Sequence, residues 1–351
     1  MGIEITGWGM CAPPSILTND DLSTILDTND EWITTRTGVK ERRITHTSLS
    51  DMGTVAAQHA LASANKDPKD IDAVIMATCT PQYIIPSTAS IIQKNIGNKT
   101  AAAFDFNSAC SGFVYGLTTA YSLISSGVMK NILLVGGEKV SFFLDWTARD
   151  TAVLFGDGAG AVMIESVDSN SKLYSSKLTC NPLFGEALML KNFGSSMNFD
   201  RNKDNYFGIS FVGQEVFKNA VKTMARLAEE ALTEANLTID DIDLCIPHQA
   251  NLRILEATAR RCHFPMEKMI VNLDKYGNTS AGSIPIALTE AIEEGKVKPN
   301  SKMLFLAFGG GLTGAAAIID WGSRVTSIKT SDAALPESDK TALELIKEIS
   351  G

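Results

Sequence analysis

An internal repeat is the feature that most constrains how this chain of 351 residues can fold. Residues 60–72 (ALASANKDPKDID) align with residues 231–243 (ALTEANLTIDDID) at an offset of 171, and seven of the thirteen positions are identical. At the same offset, the apolar segment 131–135 (NILLV) aligns with 302–306 (KMLFL), and each is followed by a glycine-rich turn and a second apolar segment. Self-similarity at a fixed offset indicates a duplicated structural unit.

The order of helices and strands within each half predicts an α/β fold. In both halves an amphipathic helix (54–64 and 216–235) precedes a continuous apolar strand (73–77 and 244–246), a second helix and another buried strand. Continuous apolar strands that alternate with helices are typical of mostly parallel sheets with helices on both faces. We therefore expect two stacked α/β halves in a five-layer α/β/α/β/α architecture.

The repeat also sets the expected domain boundaries. The first half spans residues 1–170 and the second half spans residues 171–323. Residues 324–351 lie outside the repeat and combine a polar linker with a short amphipathic helix that begins at Thr341. We expect this tail to dock on the surface of the two halves.

Composition and charge exclude several classes of protein. Apolar residues make up 44% of the chain and charged residues 20%, as in soluble globular proteins. The formal net charge of −9 argues against wholesale nucleic-acid binding, which needs a basic surface to neutralise phosphates. No apolar run approaches the roughly 20 residues that span a bilayer, and Glu4 stands where a signal peptide would be basic. We expect a cytoplasmic protein without membrane contact.

The cysteines and histidines are spaced unlike those of disulfide frameworks or metal sites. Six cysteines are scattered without a CxxC pair, which favours reduced thiols. Four histidines lack the HExxH and HxH spacings, so no metal site is predicted.

Cys110 is the first candidate for a catalytic residue. The strand-like segment 100–106 stops at small polar residues, and a helical pattern restarts at Phe113. At a helix start, unpaired N–H groups and the helix dipole favour a thiolate, which would be a nucleophile, and the same N–H groups can hold an oxyanion. The small neighbours of Cys110 permit close approach of a ligand. The alternative at this point is an inert buried cysteine, which is what most free cysteines are.

His248 and Asn278 stand where the two halves differ. His248 lies in PHQAN (247–251), whereas the first half has CTPQ (79–82) near the equivalent place, and Asn278 lies in YGNTSAGS (276–283) before a helix. Open α/β sheets bind ligands at strand ends and helix starts, so Cys110, His248 and Asn278 are candidates to converge. A buried core histidine and an ordinary turn asparagine remain the alternatives.

Two motifs with well-known functions do not fit their usual context. Residues 309–314 (GGGLTG) match G-x-G-x-x-G, but a strand-like segment follows instead of a helix, so we predict a tight turn between strands and no dinucleotide site. Cysteine, histidine and asparagine also occur in the papain-like order, yet the local signature of those proteases is absent and a duplicated α/β chain is the wrong frame.

Several motifs together carry a family resemblance. The segments SACSGF, FGDGAG, PHQANLRI, YGNTSAGS and AFGGGLTG, with residues 27–43 (DTNDEWITTRTGVKERR), resemble the β-ketoacyl-acyl carrier protein synthase III family of the thiolase superfamily. The resemblance runs from about residue 3 to about residue 322. The family's duplicated five-layer thiolase-like fold agrees with the repeat. Five motifs in the same order make the match far more specific than any one of them.

The resemblance implies a role for each matching position. Cys110 would accept the acyl group, with His248 and Asn278 as its partners, and the amides of Cys110 and Gly310 would form the oxyanion hole. Further roles are implied for six residues: coenzyme A binding by Trp32, Arg36 and Arg149, an acyl-pocket wall at Ile85 contributed across a dimer interface, and carrier-protein docking by Lys218 and Arg253.

The implied reaction is a two-step Claisen condensation. An acyl-coenzyme A acylates the cysteine, and malonyl-acyl carrier protein then loses carbon dioxide and attacks the acyl group, which initiates fatty acid synthesis. No metal or organic cofactor is implied, and the family is dimeric, so we expect a homodimer.

Departures from the family pattern leave the primer open. A branched aliphatic residue at 85, the absence of tryptophan at 314 and the longer tail also fit a specialised relative that uses a longer acyl-coenzyme A for a β-keto acid or secondary metabolite. A non-catalytic acyl-binding scaffold and a cysteine hydrolase are the hypotheses from other classes. All three candidate catalytic residues stand within their motifs, which favours the synthase over both.

Overall fold

The computed structural model describes residues 1–191, 193–196 and 208–350. Its strands are β1 Gly2–Cys11, β2 Ser15–Thr18, β3 Glu41–Ile44, β4 Ala73–Ala77, β5 Ala102–Phe106, β6 Asn131–Glu138, β7 Gly158–Val167, β8 Leu173–Cys180, β9 Leu188–Lys191, β10 Gly208–Phe211, β11 Leu244–Pro247, β12 Lys302–Gly309 and β13 Thr313–Asp320. Its α-helices are α1 Asn19–Ser23, α2 Asp30–Thr37, α3 Leu49–Ala64, α4 Thr88–Asn95, α5 Gly112–Ser125, α6 Arg149–Ala152, α7 Gly213–Ala235, α8 Leu252–Cys262, α9 Leu273–Tyr276, α10 Ser283–Glu293 and α11 Ala342–Ser350.

The described strands form two large mixed sheets and two small antiparallel pairs. The first large sheet has the order β1-β7-β6-β4-β5 and the second β11-β12-β13-β8. Only β4 with β5, β4 with β6, and β11 with β12 pair in parallel, so the prediction of mostly parallel sheets is wrong. The tight turn Gly310–Leu312 joins β12 directly to β13, and so short a connection permits only antiparallel pairing.

The sheets and helices stack in the five layers that the sequence predicts. Helices α5 and α10 lie between the two sheets, where their apolar residues share one core with both. Helices α3 and α4 cover the outer face of the first sheet, and α7 and α8 cover the second. Because the first turns of both central helices are buried, the helix starts lie deep inside the molecule, which positions the site described below.

The duplication seen in the sequence reappears in the backbone at the same offset of 171. Helices α3 and α7 both end at an asparagine in the left-handed conformation, Asn65 with φ 52° and Asn236 with φ 54°. The turns that start α5 and α10 each contain a residue other than glycine at positive φ, Ala109 at 50° and Ser280 at 49°. The strands of the first sheet end at Val167 and those of the second begin at Leu173; the domain boundaries themselves stay a prediction.

The tail runs along the first half and ends in a docked helix. Its backbone bonds to α3 and the side chain of His59 bonds to the carbonyl of Ala333 at 3.0 Å. Helix α11 then buries Leu345 and Ile346 in a core that includes residues of α1, α2, β2 and β3. Gly351, the last residue of the predicted tail, lies outside the described residues.

Replacing Leu345 with alanine is expected to release α11 from the body. Leu345 is 4% exposed, and truncating a buried leucine removes about 2–5 kcal/mol of packing. Hydrogen exchange should show lost protection in α11, while the exposed substitution Lys347→Ala leaves protection unchanged. Equal protection in both variants would mean that the tail helix is held by contacts other than its apolar face.

Candidate active site

Cys110 lies in the turn between β5 and α5. It is the middle residue of a 3₁₀ turn, Ala109–Ser111, that leads directly into the helix, and its side chain is 6% exposed. The hydroxyl of Thr313 holds this turn, since it lies 2.8 Å from the carbonyl oxygen of Ser108 and 3.2 Å from Ser111 Oγ. The second half therefore clamps the turn that carries the thiol of the first half.

Two cavities meet at Cys110. The first, about 520 Å³, brings Cys110, His248 and Asn278 together, as their positions in the repeat predict. Its outer wall includes Trp32, Arg36 and Arg253. The second, about 470 Å³, has Cys110 and Gly310 in its wall and is otherwise mainly apolar, with the apolar residues Val140, Phe143, Phe155, Leu188, Met189 and Ile209. The thiol thus lies between an approach channel and an apolar chamber.

Three groups near the sulfur of Cys110 lower the pKa of the thiol: the hydroxyl of Ser280 and the backbone amides of Cys110 and Gly310. Burial is the larger effect and, with the nearby Glu138 carboxylate, raises this pKa to about 11. The sequence led us to expect a favoured thiolate at the helix start, but in the folded protein desolvation outweighs the amides and Cys110 rests as a thiol.

The rate at which iodoacetamide alkylates Cys110 is expected to climb with pH up to about 11. Only the thiolate reacts, and with a pKa near 11 its fraction grows about tenfold per pH unit between pH 7 and 10. Peptide mapping by mass spectrometry separates Cys110 from the exposed Cys180. A rate that is already constant at pH 7 would show that the amides prevail over burial.

His248 follows strand β11 and is fixed at both its backbone and its ring. Its N–H donates to the carbonyl of Leu306 at 2.8 Å, and its Nδ1 lies 2.7 Å from Ser283 Oγ. The residue is 2% exposed, and burial lowers its pKa to about 3, so the imidazole is neutral at physiological pH. Nε2 is the ring nitrogen left for a ligand in the first cavity.

Asn278 lies opposite, in the loop before α10. Its backbone N–H donates to the carbonyl of Leu154 at 2.9 Å, and its Oδ1 accepts the N–H of Ser280 at 2.8 Å. Because the carbonyl end of the amide is occupied, the NH₂ end is the group that remains to donate into the cavity that Asn278 lines. His248 and Asn278 therefore offer two donors beside one thiol.

Trp32 and Arg36 line the outer end of the channel, and Arg149 lies over the Trp32 ring. The guanidinium carbon of Arg149 lies 4.5 Å from the Trp32 ring centroid and that of Arg36 lies 5.1 Å away. Arg149 also donates to the carbonyl of Asp27 at 2.8 Å. The structure therefore places the three residues predicted for coenzyme A binding in one group, an aromatic ring with two positive charges.

The remaining predicted residues lie farther out. Arg253 lines the channel from α8, and Lys218 is exposed on α7, which packs against α8. Ile85 is 87% exposed and lines neither cavity of this single chain, so its predicted role as a pocket wall depends on a second copy.

The sequence reasoning missed several residues around the thiol. Glu138, fully buried at the end of β6, accepts hydrogen bonds from Thr80 Oγ1 at 2.6 Å and from Ser280 Oγ at 3.2 Å. Ser283, which contacts His248, was inside the quoted motif YGNTSAGS but had not been singled out. The offset of 171 could have drawn attention to Glu138. Glu138 is equivalent to Gly309, so a carboxylate in the first half stands where the second half has the first glycine of its glycine-rich turn.

Two kinds of feature are absent from the described residues. No group of three or more histidine, cysteine or acidic side chains there could hold a metal ion. No helix among the described residues is both long enough and apolar enough to cross a membrane.

Comparison with known proteins identifies the family. Residues 104–182 match the family model for 3-oxoacyl-[acyl-carrier-protein] synthase III, and residues 232–321 match the model for its C-terminal part. The β-ketoacyl-[acyl-carrier-protein] synthase III 2 of Vibrio vulnificus is 51% identical over 98% of this chain and 95% of its own length. The β-ketoacyl-[acyl-carrier-protein] synthase III of Roseiflexus sp. is 48% identical over 90% of this chain and 98% of its own length.

A solved structure of the same family has the same fold. The 3-oxoacyl-[acyl-carrier-protein] synthase III of Aquifex aeolicus superposes with a TM-score of 0.86 at 45% identity, covering 91% of this chain and all of that one. The chain therefore has the thiolase fold and is an acyltransferase of the condensing type. It belongs to the β-ketoacyl-[acyl-carrier-protein] synthase III family.

Proposed function

We propose that the protein condenses an acyl-coenzyme A primer with malonyl-acyl carrier protein and so initiates fatty acid synthesis. The observation that carries the proposal is the convergence of Cys110, His248 and Asn278 on one cavity. It is supported by the backbone amides of Cys110 and Gly310, which lower the pKa of the thiol. A nucleophile, an oxyanion hole and two neutral donors are the groups that this chemistry needs.

The first step transfers the acyl group. The sulfur of Cys110 attacks the thioester carbonyl, the amides of Cys110 and Gly310 stabilise the oxyanion, and coenzyme A leaves as a thiol that carries the proton lost by Cys110. Trp32, Arg36 and Arg149 would hold the nucleotide end of the substrate at the channel mouth. The apolar chamber of about 470 Å³ would receive the acyl chain.

The second step forms the carbon–carbon bond. The malonyl thioester loses its carboxylate as carbon dioxide, and the electron pair of that bond becomes an enolate whose oxygen accepts hydrogen bonds from His248 and Asn278. The enolate carbon attacks the acyl carbonyl, and the thiolate of Cys110 leaves and is reprotonated. This chemistry requires no metal or organic cofactor.

The carrier protein would dock on a local basic surface. Lys218 and Arg253 are exposed on α7 and α8, and Arg260 and Arg261 lie farther along α8. On a chain of net charge −9, this surface is complementary to an acidic carrier.

An exposed apolar patch supports a homodimer. Tyr83, Ile84 and Ile85 are 53%, 72% and 87% exposed, and Phe142 nearby is 51% exposed. Large contiguous apolar patches mark interfaces, and a second copy would cover this one and bring Ile85 toward a neighbouring chamber.

All six cysteines are free in the structure, which supports a reducing, cytoplasmic compartment.

A specialised synthase that uses a longer primer is the second candidate. The observation that favours it is the size of the apolar chamber, because about 470 Å³ exceeds the need of an acetyl group. A non-catalytic scaffold and a cysteine hydrolase remain the hypotheses from other classes.

Intact-protein mass spectrometry with acyl-coenzyme A esters from acetyl to dodecanoyl tests these alternatives. We expect one acyl adduct that is absent in Cys110→Ser and present in Cys79→Ser, a matched control because Cys79 lines the same chamber. Preference for short esters supports initiation and preference for long esters supports the specialised role. Absence of any adduct supports the scaffold. Addition of malonyl-acyl carrier protein should yield β-ketoacyl product; hydrolysis alone supports the hydrolase.

Replacing Arg36 with alanine is expected to raise KM for acyl-coenzyme A by about tenfold with little change in kcat. Arg36 lies at the channel mouth, away from the thiol, so it would bind substrate and transition state equally. Steady-state kinetics with a short acyl-pantetheine as second substrate provides the control, because that substrate lacks the nucleotide. An equal loss with both substrates would mean that Arg36 does not act by binding the nucleotide of coenzyme A.

A further inference from the structure

The hydroxyl of Ser283 has two hydrogen-bond neighbours among the described residues. Nδ1 of His248 lies 2.7 Å from Ser283 Oγ, and the backbone N of Gln249 lies 3.3 Å from it. All three residues are at most 2% exposed, so bulk solvent does not reach this hydroxyl. The two contacts therefore account for the hydrogen bonding of the hydroxyl.

The two neighbours determine which way the hydroxyl donates. The N–H of Gln249 can only donate, so Ser283 Oγ accepts there. If Nδ1 of His248 also donated to Ser283, the hydroxyl proton would be left buried without an acceptor among the described residues, at a cost of roughly 1–3 kcal/mol. The arrangement that satisfies every group has Ser283 donating to Nδ1.

We propose that Ser283 is a positioning residue that holds His248 in the tautomer with its hydrogen on Nε2, so that His248 donates to the substrate and does not act as a base. A neutral imidazole carries one hydrogen, and an accepting Nδ1 leaves it on Nε2, the nitrogen free to serve the cavity. Ser283 begins the buried helix α10, so the hydroxyl is fixed by the central layer of the fold.

This role deepens the proposed function and rests on it. Condensation needs a donor toward the enolate oxygen, whereas a basic Nε2 would repel it. The acyl-transfer step uses the amides of Cys110 and Gly310 and is independent of the tautomer. Loss of the Ser283 hydroxyl should therefore affect the second step selectively.

The first test reads the tautomer directly. Two-bond ¹H–¹⁵N correlation spectra of protein labelled at histidine distinguish Nδ1–H from Nε2–H, and His248→Asn assigns the signal among the four histidines. We expect Nε2–H in the wild type and a mixture in Ser283→Ala. A wild-type signal of the Nδ1–H form would overturn the proposal, whether or not the enzyme condenses acyl groups.

The second test separates the two half-reactions. We expect Ser283→Ala to lower the condensation rate by about tenfold to a hundredfold and to leave formation of the acyl-enzyme within about twofold. Ser283→Thr, which keeps a hydroxyl, should recover much of the loss. The matched control is Ser175→Ala, which removes a buried hydrogen bond of the same 2.7 Å length outside the site and should change neither step.

The outcomes distinguish this proposal from the proposed function. A wild-type protein that forms acyl-enzyme but no β-ketoacyl product contradicts the proposed function, and the spectra still decide the tautomer. A wild type that condenses, together with Ser283→Ala that condenses equally well or loses both steps in parallel, contradicts the role of Ser283.

Discussion

Replacing His248 with alanine is expected to slow condensation by at least about a hundredfold while acyl transfer to Cys110 continues near the wild-type rate. The neutral imidazole serves as a donor to the enolate, and removing one such donor typically costs about 10²–10³ in kcat. Asn278→Ala removes the second donor and should have an effect of the same order. Because both donors act on one oxygen, the double variant should lose less than the product of the single losses.

The measurement follows each half-reaction separately. Acyl-enzyme is quantified by intact mass after rapid mixing, and release of carbon dioxide from labelled malonyl-acyl carrier protein reports the second step. In His248→Ala the acyl-enzyme should accumulate. If acyl transfer falls as steeply as condensation, His248 also removes the proton of Cys110 and acts as a base in the first step.

The low pKa of His248 adds a pH dependence to this expectation. Burial lowers it to about 3 from an ordinary value of 6.5, so the folded state favours the neutral ring. Its contribution to stability is therefore complete above about pH 6.5 and is lost as pH falls toward 3. Condensation should show no titration of His248 between pH 5 and 8.

Replacing Gly309 with alanine is expected to displace Cys110 and abolish acyl transfer. A Cβ at this position would lie 2.6 Å from the backbone N of Cys110 and 3.0 Å from that of Ser111, distances that no side-chain movement can relieve. The φ of Gly309 is −156°, an extended value open to any residue, so space alone requires glycine here. Overpacking costs about 1–3 kcal/mol, and the shifted amide would no longer complete the oxyanion hole.

Gly310→Ala is the matched control for this change. A Cβ there would lie 3.0 Å from the carbonyl oxygen of Leu188 and 3.6 Å from Ala109 Cβ, and the amide of residue 310 is retained. We expect acyl transfer to fall at least about a hundredfold in Gly309→Ala and clearly less in Gly310→Ala, with thermal unfolding measured for both. The reverse order would mean that the turn beside Cys110 tolerates the added methyl group.

The sequence was most informative where the chain repeats itself. The offset of 171 predicted the duplicated layers, and the contrast between halves drew attention to His248 and Asn278. Cys110 was found because a strand, a run of small residues and a helix follow one another without a gap. These are local patterns whose physical causes act within a few residues.

Long-range properties were not accessible in this way. Strand direction depends on which strands pair, and so the antiparallel β6–β7 and β12–β13 pairs contradicted a prediction made from apolar runs alone. The pKa of Cys110 depends on burial that only the assembled core creates, and burial reversed the effect expected from the helix start. The bond from Ser283 to His248 joins residues 35 positions apart, which no local pattern shows.

The equivalent turns at Ala109 and Ser280 differ in reactivity. At the offset of 171, the residue equivalent to Cys110 is Ala281. The same turn therefore exists in both halves, and only the turn of the first half carries a thiol. The two turns are in contact, and a Cβ on Gly112 would lie 3.4 Å from that of Ala281. A larger residue at position 281 would therefore press on the turn that carries Cys110.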